Sequence, residues 1–149
     1  GKGNLSNWSN MQWGAVFAMW GLSNSSSGPT GALSYYLGTH YNVPHGTAGG
    51  VFIGKISRLN HERGYHDYAD LYGWDPSHDF TLSCERKSEI VVEEIEKLLD
   101  QAEIPSNLHE CGVPDREHNG FYRFADQVKD AFDSNPVPFS VDDIEKILL

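Results

Sequence analysis

Residues 31–60 read GALSYYLGTHYNVPHGTAGGVFIGKISRLN, and the segment Asn42-Val43-Pro44-His45-Gly46 inside them decides how the chain is organised. Pro44 fixes its own φ and pushes Val43 away from helical backbone, so one helix must end before it and another must begin around His45. Ahead of the break, residues 32–41 predict a helix. After it, Ala48, Phe52, Ile56 and Leu59 recur at helical spacing and predict a helix over residues 45–60. The imidazole of His45 therefore stands at a helix start, placed to ligate a metal or to accept a proton.

Working outward, apolar spacing is helical nearly throughout. Trp13, Val16, Phe17 and Trp20 fall at i, i+3, i+4 and i+7 and predict a first helix over residues 9–22. A stripe so aromatic is expected to face a large core or a partner. Residues 23–31, rich in serine and glycine with Pro29 and Thr30, read as a loop. A short helix is expected over residues 64–71, then a loop marked by Gly73 and Pro76. Val91, Ile95, Leu98 and Ala102 form the stripe of a long fourth helix ending before Pro105, and Phe121, Ala125, Val128 and Phe132 that of another over residues 117–134. Ser140-Val141-Asp142-Asp143 is a capping box opening a last helix that carries Ile144, Ile147 and Leu148. With no hairpin signal and no internal repeat, residues 1–149 read as a single all-α domain, a multi-helix bundle.

The chain carries 21 acidic and 11 basic side chains, a formal charge of −10. Nucleic-acid affinity comes largely from neutralising phosphates, so no nucleic-acid partner is expected. No apolar run reaches the roughly 18–20 residues that span a bilayer, and nothing resembles a signal peptide, so no membrane partner and a cytoplasmic location are expected. Cys84 and Cys111 have neither disulfide-framework nor zinc-knuckle spacing.

Residues 23–46, SNSSSGPTGALSYYLGTHYNVPHG, resemble the iron-containing (group III) alcohol dehydrogenases, in which a pattern S-N-x-x-x-G-x-x-H-x-x-x-H-x-L-G-x-x-Y-x-x-P-H-G lines the metal and substrate site. Residues 104–113, with Ile104-Pro105 and Gly112-Val113, and the helical C-terminus are similar to the same family. The likeness covers most of the chain and implies the all-helical C-terminal domain of a dehydroquinate synthase-like fold. Two departures stand out. The first pattern histidine, a metal ligand, falls on Gly31, and the second falls on Tyr35; the last survives as His45. The family's glycine-rich dinucleotide site and its Asp-x-x-x-His ligand pair have no counterpart in these residues. The resemblance thus implies the metal- and substrate-side half of a longer NAD(P)-dependent oxidoreductase acting on an alcohol or aldehyde, with the N-terminal nucleotide-binding domain outside this chain. Fe(2+) or Zn(2+) and NAD(P) would belong to the intact parent, with His45 as one metal ligand and none of these groups held tightly by the fragment. By position, Tyr35 would donate a hydrogen bond to the substrate oxygen and Asn24 would shape the same pocket. A homodimer is compatible with all of this.

Other constellations have plainer readings. Gly46-Thr47-Ala48-Gly49-Gly50 lacks the strand, lysine and spacing of a phosphate loop, and reads as a small-residue surface that lets a neighbouring helix approach. His61 and His66 are five apart, off a common helix face; His66 and Asp70 share one but fall short of a catalytic metal set. His40, His78, His109 and His118 have no partners in sequence. Two function classes remain open: the helical half of an oxidoreductase, and a non-catalytic helical module derived from that fold, acting in assembly or regulation. An upstream nucleotide-binding segment in the complete reading frame separates them.

Overall fold

Asn42 ends α2 (Gly28–Tyr41) in the left-handed region, φ 55° and ψ 27°, a conformation its short polar side chain tolerates. Pro44 then caps α3 (His45–Glu62), as its fixed φ requires. The link folds back along α2, bringing the Val43 carbonyl oxygen to 3.4 Å from where a Cβ on Gly38 would sit. The helix break predicted at Pro44 is therefore the centre of the fold. The computed structural model describes residues 3–74 and 77–148. Among these there is no strand, and the remaining helices are α1 (Leu5–Ser23), α4 (Cys84–Gln101), α5 (His118–Gln127), α6 (Lys129–Asp133) and α7 (Val141–Leu148), with 3-10 helices at Asp67–Trp74 and Asp115–Glu117. The all-α expectation is met.

The core forms where α2, α3, α5 and α7 meet. Leu33 and Leu37 of α2, Ala48 and Phe52 of α3, Phe121 of α5 and Ile144, Ile147 and Leu148 of α7 are all buried in one cluster. Phe52 and Phe121 meet with ring centroids 6.3 Å apart, and Tyr36 meets the edge of Phe121 at 4.6 Å. On its other side α3 takes α4, where missing side chains decide the approach. A Cβ on Gly50 would lie 2.8 Å from Ile104 Cγ2 and one on Gly54 2.9 Å from Leu99 Cδ1. The small-residue reading of this helix start holds at Gly50 and extends one turn to Gly54. Arg58 of α3 donates to both oxygens of Glu96, clamping the pair of helices.

Five expectations need correction. The loop expected over residues 23–31 shrinks to residues 24–27, since α1 runs through Ser23 and α2 already begins at Gly28 with Pro29 in its first turn. The first helix carries no buried residue and packs on no other element; Trp13, Phe17 and Trp20 are each about 60% exposed or more. Its aromatic stripe faces no core within the described residues. The buried face of α4 is Ser88, Val91 and Val92 with Ile95 and Leu99 partly covered, whereas Leu98 and Ala102 are exposed. The helix expected over residues 117–134 breaks at Val128, φ −117° and ψ 36°, into α5 and α6. The short helix after α3 is a 3-10 helix placed three residues later than predicted. Pro76 lies outside the described residues.

The capping box at Ser140 forms in one direction, the Asp143 N–H going to the Ser140 carbonyl in place of its hydroxyl, and Asp143 gains a partner that the local sequence does not announce. Asp143 accepts from the Ser140 N–H at 2.7 Å and hydroxyl at 2.8 Å. It also accepts both arms of Arg63, just past the end of α3. Arg63 additionally donates to the Pro138 carbonyl, and Lys55 Nζ donates to the Ile147 carbonyl at 2.9 Å, so α3 holds α7 at both ends. Burial alone would raise the Asp143 carboxyl, yet the Arg63 and Ser140 donors outweigh it and pull the group down to about 2. Its folded value lies below the ordinary 3.8, so its contribution is present above pH 4 and is lost as pH falls through 4 towards 2. Asp143→Asn should cost about 2 kcal/mol at neutral pH. Chemical denaturation of both proteins should show that gap closing between pH 4 and 2; a gap independent of pH would show that the charge of Asp143 is not what matters.

Candidate functional site

Gly31 and Tyr35, four residues apart, share one face of α2. The Tyr35 ring is 61% exposed and lies along Phe124 of α5, with centroids 6.5 Å apart and planes at 19°. That contact joins residues 89 positions apart, and no local signal announces it. Gly31 has the Ser27 side chain where its own Cβ would be, because positive-φ Gly28, at 58°, turns the entering chain against the first turn of α2. The slot the family pattern gives to a histidine is closed by local backbone geometry as well as by composition.

Asn24 sits at the end of α1, where its Nδ2 donates to the Trp20 carbonyl at 2.8 Å. Ser23 and Ser25 donate to the Met19 and Gly21 carbonyls beside it. Three successive side chains thus donate back to carbonyls in the last turns of α1, a capping role for the Ser-Asn-Ser stretch. His45 is the first residue of α3 and is exposed. Ten residues of continuous helix separate Gly31 from Tyr41, on the order of 15 Å of rise, before the link turns back toward His45.

These positions do not by themselves suit a metal. A catalytic divalent site needs about three protein ligands and an open position. Of the three histidine slots in the pattern, only the one at His45 is filled, and among the described residues no three His, Cys, Asp or Glu side chains cluster as ligands. His61 and His66 do come together, their centroids 5.1 Å apart, because Gly64 at φ 89° reverses the chain after α3. The spacing of five hid this pairing, since the helix ends between them. It remains two donors, and His61 Nδ1 is engaged with the buried Ser88 hydroxyl at 3.0 Å. Cys84 is exposed and Cys111 half-buried, both as free thiols, with burial raising the latter.

Fold and pattern point to one family, and direct comparison agrees. The model of the Fe-containing alcohol dehydrogenase family, C-terminal, matches residues 2–149. The chain belongs to this family. It is 27% identical over 133 residues to the 1,3-propanediol dehydrogenase of Citrobacter freundii, covering 89% of this chain and 34% of that one. Similarity to the lactaldehyde reductase of Escherichia coli K12 is 29% over 106 residues, 69% of this chain and 27% of the relative. A crystal structure of a 1,3-propanediol oxidoreductase superposes with a TM-score of 0.69 at 26% identity, covering 81% of this chain and 31% of that one. The chain spans about a third of the length of the curated relatives it matches.

Restoring the missing histidine therefore takes more than one change. Gly31→His alone should overpack the first turn of α2 against Ser27 and destabilise the protein by about 1–3 kcal/mol. Ser27→Gly together with Gly31→His should recover part of the loss in melting temperature followed by circular dichroism. Equal melting temperatures for wild type and Gly31→His would show that Ser27 yields without cost.

Proposed function

We propose that these helices form the substrate-side half of an NAD(P)-dependent oxidoreductase acting on a small alcohol or aldehyde, completed by a nucleotide-binding domain outside these residues. The observation that carries the reading is α1. A helix of 19 residues with no charged side chain, no buried residue and no neighbouring element among the described residues is what one face of a larger helical core looks like alone. Membership of the family and the one-third share of its relatives' length support it. NAD(P) would supply the hydride chemistry when bound in that other domain. The part assigned to this chain is binding and orientation. Tyr35, at the slot of the second pattern histidine, carries a hydroxyl on the open face of α2, suited to donate a hydrogen bond to the substrate oxygen. By its place in the pattern Asn24 would shape the same pocket, and His45 would be the one metal ligand this half contributes.

Gly31 and the Ser27 side chain packed on it favour a second reading, a helical module that has lost the metal and serves in assembly or regulation. The two separate on a single protein. In the full-length polypeptide, Tyr35→Phe and His45→Ala are each expected to lower kcat/KM for nicotinamide-dependent alcohol oxidation by roughly 100-fold. Unchanged rates in both would remove Tyr35 and His45 from the site, and absence of nicotinamide-dependent oxidation in the unmutated full-length polypeptide would transfer the case to the non-catalytic module.

A further inference from the structure

Five arginines are spread along this acidic chain, and three of them are spent on carboxylates: Arg58 on Glu96, Arg63 on Asp143 and Arg86 on Glu89. The other two, Arg116 and Arg123, line one groove between the C-terminal half of α2 and the start of α5. Arg123 has a single long bond, from Nε to the Asn119 carbonyl at 3.4 Å, and no carboxylate within ion-pair distance among the described residues. Arg116 comes no closer than 3.8 Å to Glu117 and is otherwise open to solvent. The groove is open to solvent, with a volume of about 370 Å³, and a second open lobe of about 480 Å³ continues it past Arg123 to Phe124 and Gln127.

The remaining walls are neutral donors and flat rings. Tyr36 stacks on His40 at 4.0 Å, and its hydroxyl lies over Gly120, in the place a Cβ would take. Asn119 adds an amide. The single carboxylate in the lining, Glu117, accepts from the Tyr41 hydroxyl at 2.8 Å. Burial and that carboxylate push Tyr41 up to about 12, so the pair stays a phenol donating to a carboxylate. Glu117 is thereby tied to α2 through one oxygen, while the other, 3.8 Å from Arg116, offsets one of the two guanidinium charges. In a chain of net charge −10, a pocket in which two guanidinium groups face a single carboxylate is a local inversion of sign.

We propose that the α2–α5 groove is a binding site for a phosphate group. Two guanidinium forks with a phenol and an amide exceed what the two oxygens of a carboxylate can accept, and they match a tetrahedral dianion with more lone pairs. The group could come from free phosphate or from a phosphorylated small molecule whose body lies along Tyr36 and Phe124.

Calorimetric titration of the chain with inorganic phosphate and, separately, phenyl phosphate, in low-salt buffer free of phosphate, tests the site. Saturable binding is expected, weakened by about tenfold or more in Arg116→Gln/Arg123→Gln and unchanged in Arg86→Gln. Arg123→Lys, which keeps the charge and loses the fork, should weaken it by an intermediate factor. Both arginines are on the surface, so these variants should keep the wild-type circular dichroism. Tighter binding of phenyl phosphate assigns the site to a phosphorylated molecule, and equal affinity assigns it to phosphate itself. Absence of saturable binding, or wild-type affinity in the double variant, would overturn the proposal.

Discussion

Everything in this fold leans on α3, and α3 can hold its place because side chains are missing where its neighbours come closest. Gly50 and Gly54 open the side that Ile104 and Leu99 enter, Phe52 fills the opposite side against Phe121, and Arg63 and Lys55 reach out to the two ends of α7. A helix with no bulk on one face and a phenylalanine on the other fixes both distances at once. The cost is conformational, since glycine inside a helix is destabilising by roughly 1 kcal/mol relative to alanine. Tertiary packing offsets it, which is why residues 45–60 form a helix despite four glycines.

How much of this was legible depended on the range of the interaction that decides each element. The α2–α3 hairpin was visible because Pro44 acts on its own backbone and its neighbour's. The last helix was visible because Ser140 and Asp143 are three residues apart. Arg63 as the partner of Asp143 was not, since eighty positions separate them and nothing in the sequence around either residue names the other. On α4, Leu98 and Leu99 are both apolar, and periodicity cannot choose which one turns inward until α3 supplies the gap at Gly54. Val128 looked like one more member of an apolar stripe, and only the backbone shows that the helix stops there.

The candidate site was readable as a set of positions and not as a geometry. The pattern in residues 23–46 located Asn24, Gly31, Tyr35 and His45, and the family it implied is the family to which the chain belongs. What it could not convey is that Ser27 packs into the space of a Gly31 side chain, or that Phe124 lies under Tyr35. Both follow from how α2 is entered and what it packs against. The His61–His66 pair shows the converse error: a helical wheel separates two residues that a glycine turn brings face to face.

The bare first helix also bears on handling. A rod of uncharged, tryptophan-rich surface attached to a strongly anionic body has the form of a detergent, with the two parts pulling solubility in opposite directions. Mutual repulsion between the anionic bodies keeps such molecules dispersed at low ionic strength, and added salt screens it while leaving the apolar rod as adhesive as before. Purification and storage conditions therefore act on which part of the molecule governs its behaviour.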